Sequence, residues 1–326
     1  MKKSFKLTMI LVLILTTAVA VLGCTKKTPD KTTTPGKQIE QKKPDEEGKN
    51  PIEEEEPEKE MTDEQIEKLF EMKRVKGGYA VKKYIADDEN VSIPKEYKGR
   101  KINKIEEKAF ADCDFLEKID MPSSVEEISK RAFAGCVNLN KVVLKNGLKT
   151  IGIEAFKRAG IEKINIPDSI ETVGDNAFGS CSNLIKVSIA LKNISLLTDR
   201  VFSNFDDAEI SSSENYNSIP DKEFKDYRFL FKKITFKGDI REIGEEAFKG
   251  SNIEEIEIPN ATITEIKKGT FEDCKNLKRV ILNEGLKKIC EDAFRVSGIE
   301  SLTTPSTLEE ICGVAKTGKG PKIGEI

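Results

Sequence analysis

Apolar positions along this chain recur with a long period. Phe110, Phe133, Phe156, Phe178, Phe202, Phe224, Phe248, Phe271 and Phe294 form one ladder, at successive spacings of 22 to 24 residues. Five residues before the ring stands an aliphatic, as at Ile105, Ile128, Ile151, Val173, Ile243, Ile266 and Ile289, with another three residues earlier. After the ring comes an L-x-x-L-x-L cluster, as in Leu116/Ile119/Met121, Leu139/Val142/Leu144 and Leu184/Val187/Ile189. Its end alternates with period two, which predicts a short strand with its apolar face inward. Pro94, Pro122, Pro167, Pro259 and Pro305 follow such clusters and end the strand, because proline cannot donate to a ladder. The E-x-A-F stretch predicts a short helix or turn on the opposite wall. One coil of ~23 residues is too small to bury its own apolar face, so coils must stack. The predicted fold class is an α/β solenoid: a superhelix of about nine to ten coils, each a short strand plus a short helix or turn.

The pattern also marks the ends. Residues 61–101 read as an N-terminal cap. Thr62-Asp63-Glu64-Gln65 fits a capping box, with Ile66, Leu69 and Phe70 on one face behind it. Gly77-Gly78 breaks the chain before Tyr79-Ala80-Val81 and Val91-Ser92-Ile93-Pro94, giving a helix and then a hairpin over the first coil. Phe70 and Met72 also alternate, so the helical stretch could itself join the hairpin. Residues 102–312 form the solenoid. Between Phe202 and Phe231 the repeat is degenerate, with Ser211, Ser212, Ser213, Asn215 and Asn217 at an expected strand exit. That stretch is either a bulging loop or, the favoured reading, a decayed copy held by good neighbours. At the far end Lys316 stands where a ladder phenylalanine is due. The expectation is self-association through this uncapped coil, or fraying of a flexible tail at 313–326.

Before the cap, Lys2, Lys3 and Lys6 precede an apolar run over residues 7–22, the layout of a secretory signal. Val21-Leu22-Gly23-Cys24 resembles a bacterial lipobox, so residues 1–23 read as a lipoprotein signal peptide and Cys24 as the lipidation site. The competing reading is an uncleaved anchor helix, which needs ~17–25 apolar residues. Residues 24–60 carry Pro29, Pro35, Pro44, Pro51 and Pro57 and a glutamate run at 53–56, with Ile39 and Ile52 the only large aliphatics. Such a segment cannot offset its ordering entropy and reads as a disordered charged tether. The expected location is outside the cytoplasmic membrane, lipid-anchored, at the cell surface.

The units at 126–144 (EEISKRAFAGCVNLNKVVL) and 241–259 (REIGEEAFKGSNIEEIEIP) resemble the treponemal, BspA-like leucine-rich repeats of bacterial surface proteins. The resemblance runs from about Tyr79 to Ile311. It implies a leucine-rich repeat superhelix in a secreted or surface-tethered protein, several relatives being adhesins. It brings no catalytic residues with it.

Composition narrows the chemistry. Lys+Arg number 54 and Asp+Glu 57, for a net charge of -3, so no basic excess points to nucleic acid. The absence of histidine excludes imidazole acid/base chemistry and histidine metal sites. Cys113, Cys136, Cys181 and Cys274 lie three residues after a ladder ring, where other copies hold Ala159, Ser251 and Ser297. They read as small buried residues, or as inter-coil disulfides such as Cys113 with Cys136. Cys290 and Cys312 take a different place, where Gly152, Gly174 and Gly244 stand in other coils. With no C-x-x-C, no metal and no cofactor is expected. The run 313–319 fits G-x-x-x-x-G-K, but Gly320 stands where a magnesium-holding hydroxyl is needed, so it reads as coincidence. Acidic pairs such as Glu126-Glu127, Glu245-Glu246 and Glu309-Glu310 repeat at surface positions and read as solvated faces, so no enzyme is expected.

The candidate site is the outward, expectedly concave face of the strands. Its third position carries Lys118, Lys141, Lys163, Lys186, Lys233 and Arg279, and its fifth Asp120, Val143, Asn165 and Ser188. Lysines on neighbouring strands repel by roughly 1 kcal/mol in water before screening, and Glu117 and Glu162 beside them relieve part of it. One reading is a cationic strip for an acidic protein, glycan or polyphosphate; the other is lysine that keeps a sheet soluble. The functional expectation is a surface lipoprotein mediating adhesion or host or partner protein interaction through this face. The alternative is an envelope scaffold binding a partner of the same cell. Expected partners are a protein or glycan ligand, the membrane through the lipid anchor, and a second copy at the C-terminal coil.

Overall fold

The computed structural model describes residues 61–203, 205–226, 231–258 and 262–313, and the backbone of 322–323. The chain divides into Met1–Glu56 and Pro57–Ile326, and every described residue falls in the second unit. The expected signal peptide, Cys24 and the tether lie outside the described residues, as does Lys316.

The second unit is a β-solenoid of about 10 turns. One wall is a nine-stranded parallel sheet. It runs through Asn90–Ser92, Lys118–Asp120, Lys141–Val143, Lys163–Ile166, Lys186–Ala190, Asp207–Ser211, Lys233–Lys237, Glu255–Glu257 and Arg279–Ile281. These are the L-x-x-L-x-L segments, and Ile119, Val142, Ile164, Val187, Ala208, Ile234 and Ile256 are buried along their inner face. A second wall is built where the sequence showed inward aliphatics but no strand. Glu127–Ile128, Thr150–Ile151 and Thr172–Val173 pair in parallel behind Arg100–Ile105. After an interruption the wall resumes at Ser218–Ile219 with Glu242–Ile243, then at Glu265–Ile266, Lys288–Ile289 and Glu310–Ile311. Two-residue strands are too short to show alternation.

The α/β description is not confirmed, because the phenylalanine wall is made of turns. Among the described residues the helices are one α-helix, Asp63–Leu69, and one 3-10 helix, Leu191–Leu196. Two residues before and two after the ring the backbone is left-handed, as at Lys108 and Asp112 (both φ 57), Glu154 (56) and Arg158 (62). A right-handed helix cannot contain such residues. Their N–H groups are committed elsewhere: Lys108 donates to Lys130 O (3.2 Å), Phe110 to Ala132 O (2.7 Å) and Asp112 to Ala134 O (2.8 Å). Phe133 and Phe156 repeat the bond to Ala155 and Ala177, each at 2.7 Å. The wall spends alternate donors between coils, and the donors between them close i→i−3 turns, as Ala109 to Glu106 O and Ala111 to Lys108 O (both 3.2 Å), so no i→i−4 ladder forms.

Inside, the rings stack as the spacing predicts. Phe110, Phe133, Phe156, Phe178 and Phe202 have successive centroids 4.7, 5.1, 5.3 and 4.9 Å apart, with planes within 17° of parallel. The strand spacing of ~4.8 Å sets this distance. The degenerate stretch interrupts the stack. Phe205 meets Phe202 edge-on at 5.7 Å, Phe231 meets Phe205 at 5.8 Å, and Phe231 meets Phe224 edge-on at 5.4 Å. Stacking then resumes from Phe224 through Phe248 and Phe271 to Phe294. This coil keeps a five-residue strand, Asp207–Ser211, paired on both sides. The coil before it has the 3-10 helix and no second-wall strand, which is where the second wall is interrupted.

At the N-terminal end Thr62 caps the helix in a reciprocal box with Gln65. The hairpin joins Phe70–Val75 to Gly78–Tyr84, with Gly77 turning at φ 84. Asn90–Ser92, expected in that hairpin, instead opens the long sheet beside Lys118–Asp120. Phe70 and Tyr84 extend the ring ladder, Tyr84 stacking on Phe110 at 5.1 Å. Tyr97 donates its hydroxyl to Glu67, and Lys98 Nζ lies 2.8 Å from the same carboxylate, tying helix to sheet. At the other end Ser301–Leu302 pairs in parallel with Lys322–Ile323.

Candidate functional site

Because the strands are parallel and in register, side chains at one repeat position form a lane across the long sheet. The third-position lane reads Asn90, Lys118, Lys141, Lys163, Lys186, Asp207, Lys233, Glu255 and Arg279. The structure therefore brings Lys118, Lys141, Lys163 and Lys186 together on four adjacent strands. It separates Lys233 and Arg279 from them, because Asp207 and Glu255 intervene. The sequence reading missed both carboxylates. Asp207 sits in the coil whose repeat is degenerate. Glu255 was readable at the same offset, directly before the buried Ile256.

Partners divide the lane into two electrostatic halves. Lys186 Nζ lies 2.6 Å from Glu209 Oε2 and 3.9 Å from Asp207 Oδ2. Lys233 lies 3.8 Å and Arg279 3.0 Å from Glu255. Ser188 donates to Glu209 (3.3 Å) and Thr235 to Asp207 (3.0 Å), so this half is internally satisfied. Lys118, Lys141 and Lys163 make no ion pair with any of the described residues. Lys141 and Lys163 are exposed and Lys118 half-buried. In the neighbouring lane Asp120 is engaged by Lys145 at 3.4 Å, while Val143 and Asn165 bring no charge. Three stacked cations with no ion pair among the described residues raise the local potential, and an anionic partner would lower it.

The cysteines behind the ring ladder are packed into the core. Cys136, Cys181 and Cys274 are free, buried thiols that donate to the carbonyls of Phe110 (3.0 Å), Phe156 (3.2 Å) and Phe248 (2.9 Å) in the preceding coil. Burial pushes the Cys136 and Cys181 thiols up to about 12, which keeps them protonated. Cys113 is free as well. Glu272 is buried on the turn wall between Lys249 Nζ, 2.6 Å away, and Arg295. Among the described residues no group of three or more Cys, Asp or Glu is placed to hold a metal ion, and no helix is long and apolar enough to cross a membrane.

The sequence matches the model of the BspA type leucine rich repeat region, present in 6 copies, over residues 103–230 and 195–315. No curated protein matches the chain. Among solved structures it is similar to a Treponema pallidum leucine rich repeat protein, at 23% identity over 71% of this chain and 85% of that one, with a TM-score of 0.39. It is similar to a leucine rich cell surface protein from Faecalibacterium prausnitzii, at 17% identity over 74% and 88% of the two chains, TM-score 0.30. The pneumococcal vaccine antigen PcpA matches at 16% identity over 74% and 75%, TM-score 0.34. At these scores no residue correspondence is carried between the chains.

Proposed function

Since the chain belongs to the BspA-type leucine rich repeat family, we propose that it is a binding scaffold that docks an anionic macromolecule on the Lys118/Lys141/Lys163 face. Its setting in this reading is the cell surface, with the solenoid held by a lipid anchor at Cys24, and its role is adhesion or partner recognition. The single observation that supports the site is the contrast within one lane. Three stacked lysines have no carboxylate within 4 Å among the described residues, whereas Lys186, Lys233 and Arg279 on the same sheet each have one. Lysines placed only for solubility would not need to cluster away from the counter-ions that the sheet supplies elsewhere.

The test is binding of the full chain to a sulfated polysaccharide and to a polyglutamate peptide at several salt concentrations. Reversing Lys118, Lys141 and Lys163 to Glu should abolish binding to whichever probe is recognised. Reversing Lys186, Lys233 and Arg279 should reduce it far less. Equal losses from the two triple variants would remove the site.

A further inference from the structure

A different lane, on the second wall, carries chemistry that the binding face does not use. It comprises the residues directly after the second-wall aliphatic. In three coils that residue is glycine, and a Cβ there would approach preceding-coil backbone at 2.6 Å (Gly152), 2.5 Å (Gly174) and 2.4 Å (Gly244). No side chain fits those places. In the last coils the lane changes to Lys267, Cys290 and Cys312.

The two cysteines occupy equivalent places on adjacent coils. Ile289 pairs with Ile311 in parallel register, and the next N–H on each strand makes the same bond: Cys290 to Ile266 O and Cys312 to Ile289 O, both at 2.8 Å. Neighbouring strands stand ~4.8 Å apart, inside the ~4.4–6.8 Å that a disulfide spans between Cα atoms. Ile289 faces the core, so Cys290 and Cys312 face outward, and both are partly accessible. They differ in this from the thiols sealed behind the ring ladder. Neither thiol fills an apolar hole: Cys290 Sγ donates to Glu265 Oε1 (2.6 Å) and Cys312 Sγ to Glu310 Oε1 (2.9 Å). The titratable groups facing the pair are Glu265 and Glu310, with Lys288 Nζ 3.1 Å from Glu310 and Lys267 turned to Glu242.

We propose that Cys290 and Cys312 form a dithiol modification site, which a disulfide-bearing oxidant converts into a covalent clasp between the last two coils. One cysteine thiolate attacks a sulfur of the oxidant disulfide and expels one oxidant thiolate, leaving a mixed disulfide. The second cysteine thiolate attacks the protein sulfur of that bond and expels the other. The cysteines lose two electrons and two protons, and the oxidant gains both as two thiols. The clasp lies where the ladder has run out, since Phe294 is its last ring. It supplies covalently the inter-coil attachment that ring stacking supplies elsewhere. Burial, and then the neighbouring Glu265 carboxylate, push the Cys290 thiol up to about 12, so exchange is slow at neutral pH and quickens as pH rises.

The experiment takes the full chain, reduced, and exposes it to oxidised glutathione at rising pH, followed by non-reducing peptide mapping. The expected product is a peptide pair joined through Cys290 and Cys312, forming faster at higher pH. Amides at 301–313 should then exchange about tenfold more slowly than in the reduced chain. Cys290→Ser and Cys312→Ser should each give neither result. Mapping of the unaltered chain keeps the test valid if a variant folds poorly. Persistent free thiols, glutathione adducts alone, or a bond to another cysteine would overturn the proposal. None of these results bears on the lysine face.

Discussion

Among the described residues, Val296 is the one β-branched side chain on a left-handed backbone. It holds φ 57 two residues after the last ring, with its side chain exposed. Other coils fill this place with Asp112, Gly135, Arg158, Ser180, Asp226, Gly250 and Asp273. Left-handed backbone costs an L-residue ~1–2 kcal/mol, and most for a β-branched one, whereas Asn and Gly tolerate it. Val296→Asn should therefore raise stability by about 1 kcal/mol, seen as a higher urea midpoint at unchanged slope. A lower midpoint would mean that contacts of Val296 outweigh its strain. Glu154 makes a second test. The side chains of Lys157 and Arg131 beside it hold its carboxyl down at about 2, from an ordinary 4.5. A depressed carboxylate stabilises the fold above its unfolded value, and that contribution is lost as pH falls from about 4.5 through about 2. Acid titration should destabilise the native chain more steeply across that window than Glu154→Gln.

At the scale of elements the long strands were legible and the opposite wall was not. Buried Leu116, Ile119 and Met121 announce their strand because alternation survives over several residues. The E-x-A-F segment read as a short helix or turn, and left-handed places taken by Lys, Asp, Arg, Glu, Asn and Ser leave no single sequence mark to decide between them. What decides the wall is the carbonyl of the next coil, which a local reading cannot see. The ring ladder was legible except for its repair. Phe205 and Phe231 lie off the period, yet they bridge the gap between Phe202 and Phe224. Phe231→Ala should cost about 3 kcal/mol through the cavity it leaves. Because coils couple only to neighbours, it should also split one thermal transition into two. A single transition, simply lowered, would show that the long sheet alone couples the two halves.

Across the molecule, charge along the long sheet makes its own prediction. A lane position between two like charges weakens the fold, and one between opposite charges supports it. Lys141 stands in register with Lys118 and Lys163, whereas Lys233 stands between Asp207 and Glu255. The sequence located the lysines, but their opposite settings became visible only when register placed Asp207 and Glu255 in the same lane. Lys141→Gln should raise stability at low salt by no more than about 1 kcal/mol, a gain that fades as the Debye length shrinks below the strand spacing. Lys233→Gln should lower stability under the same conditions, and salt should erase that loss too. Opposite signs at two equivalent positions would mean that the fold carries an unfavourable cluster it does not need for its own stability. Such a cluster is what a site built to receive negative charge looks like before its ligand arrives. Equal effects at Lys141 and Lys233 would reduce the lane to generic surface charge.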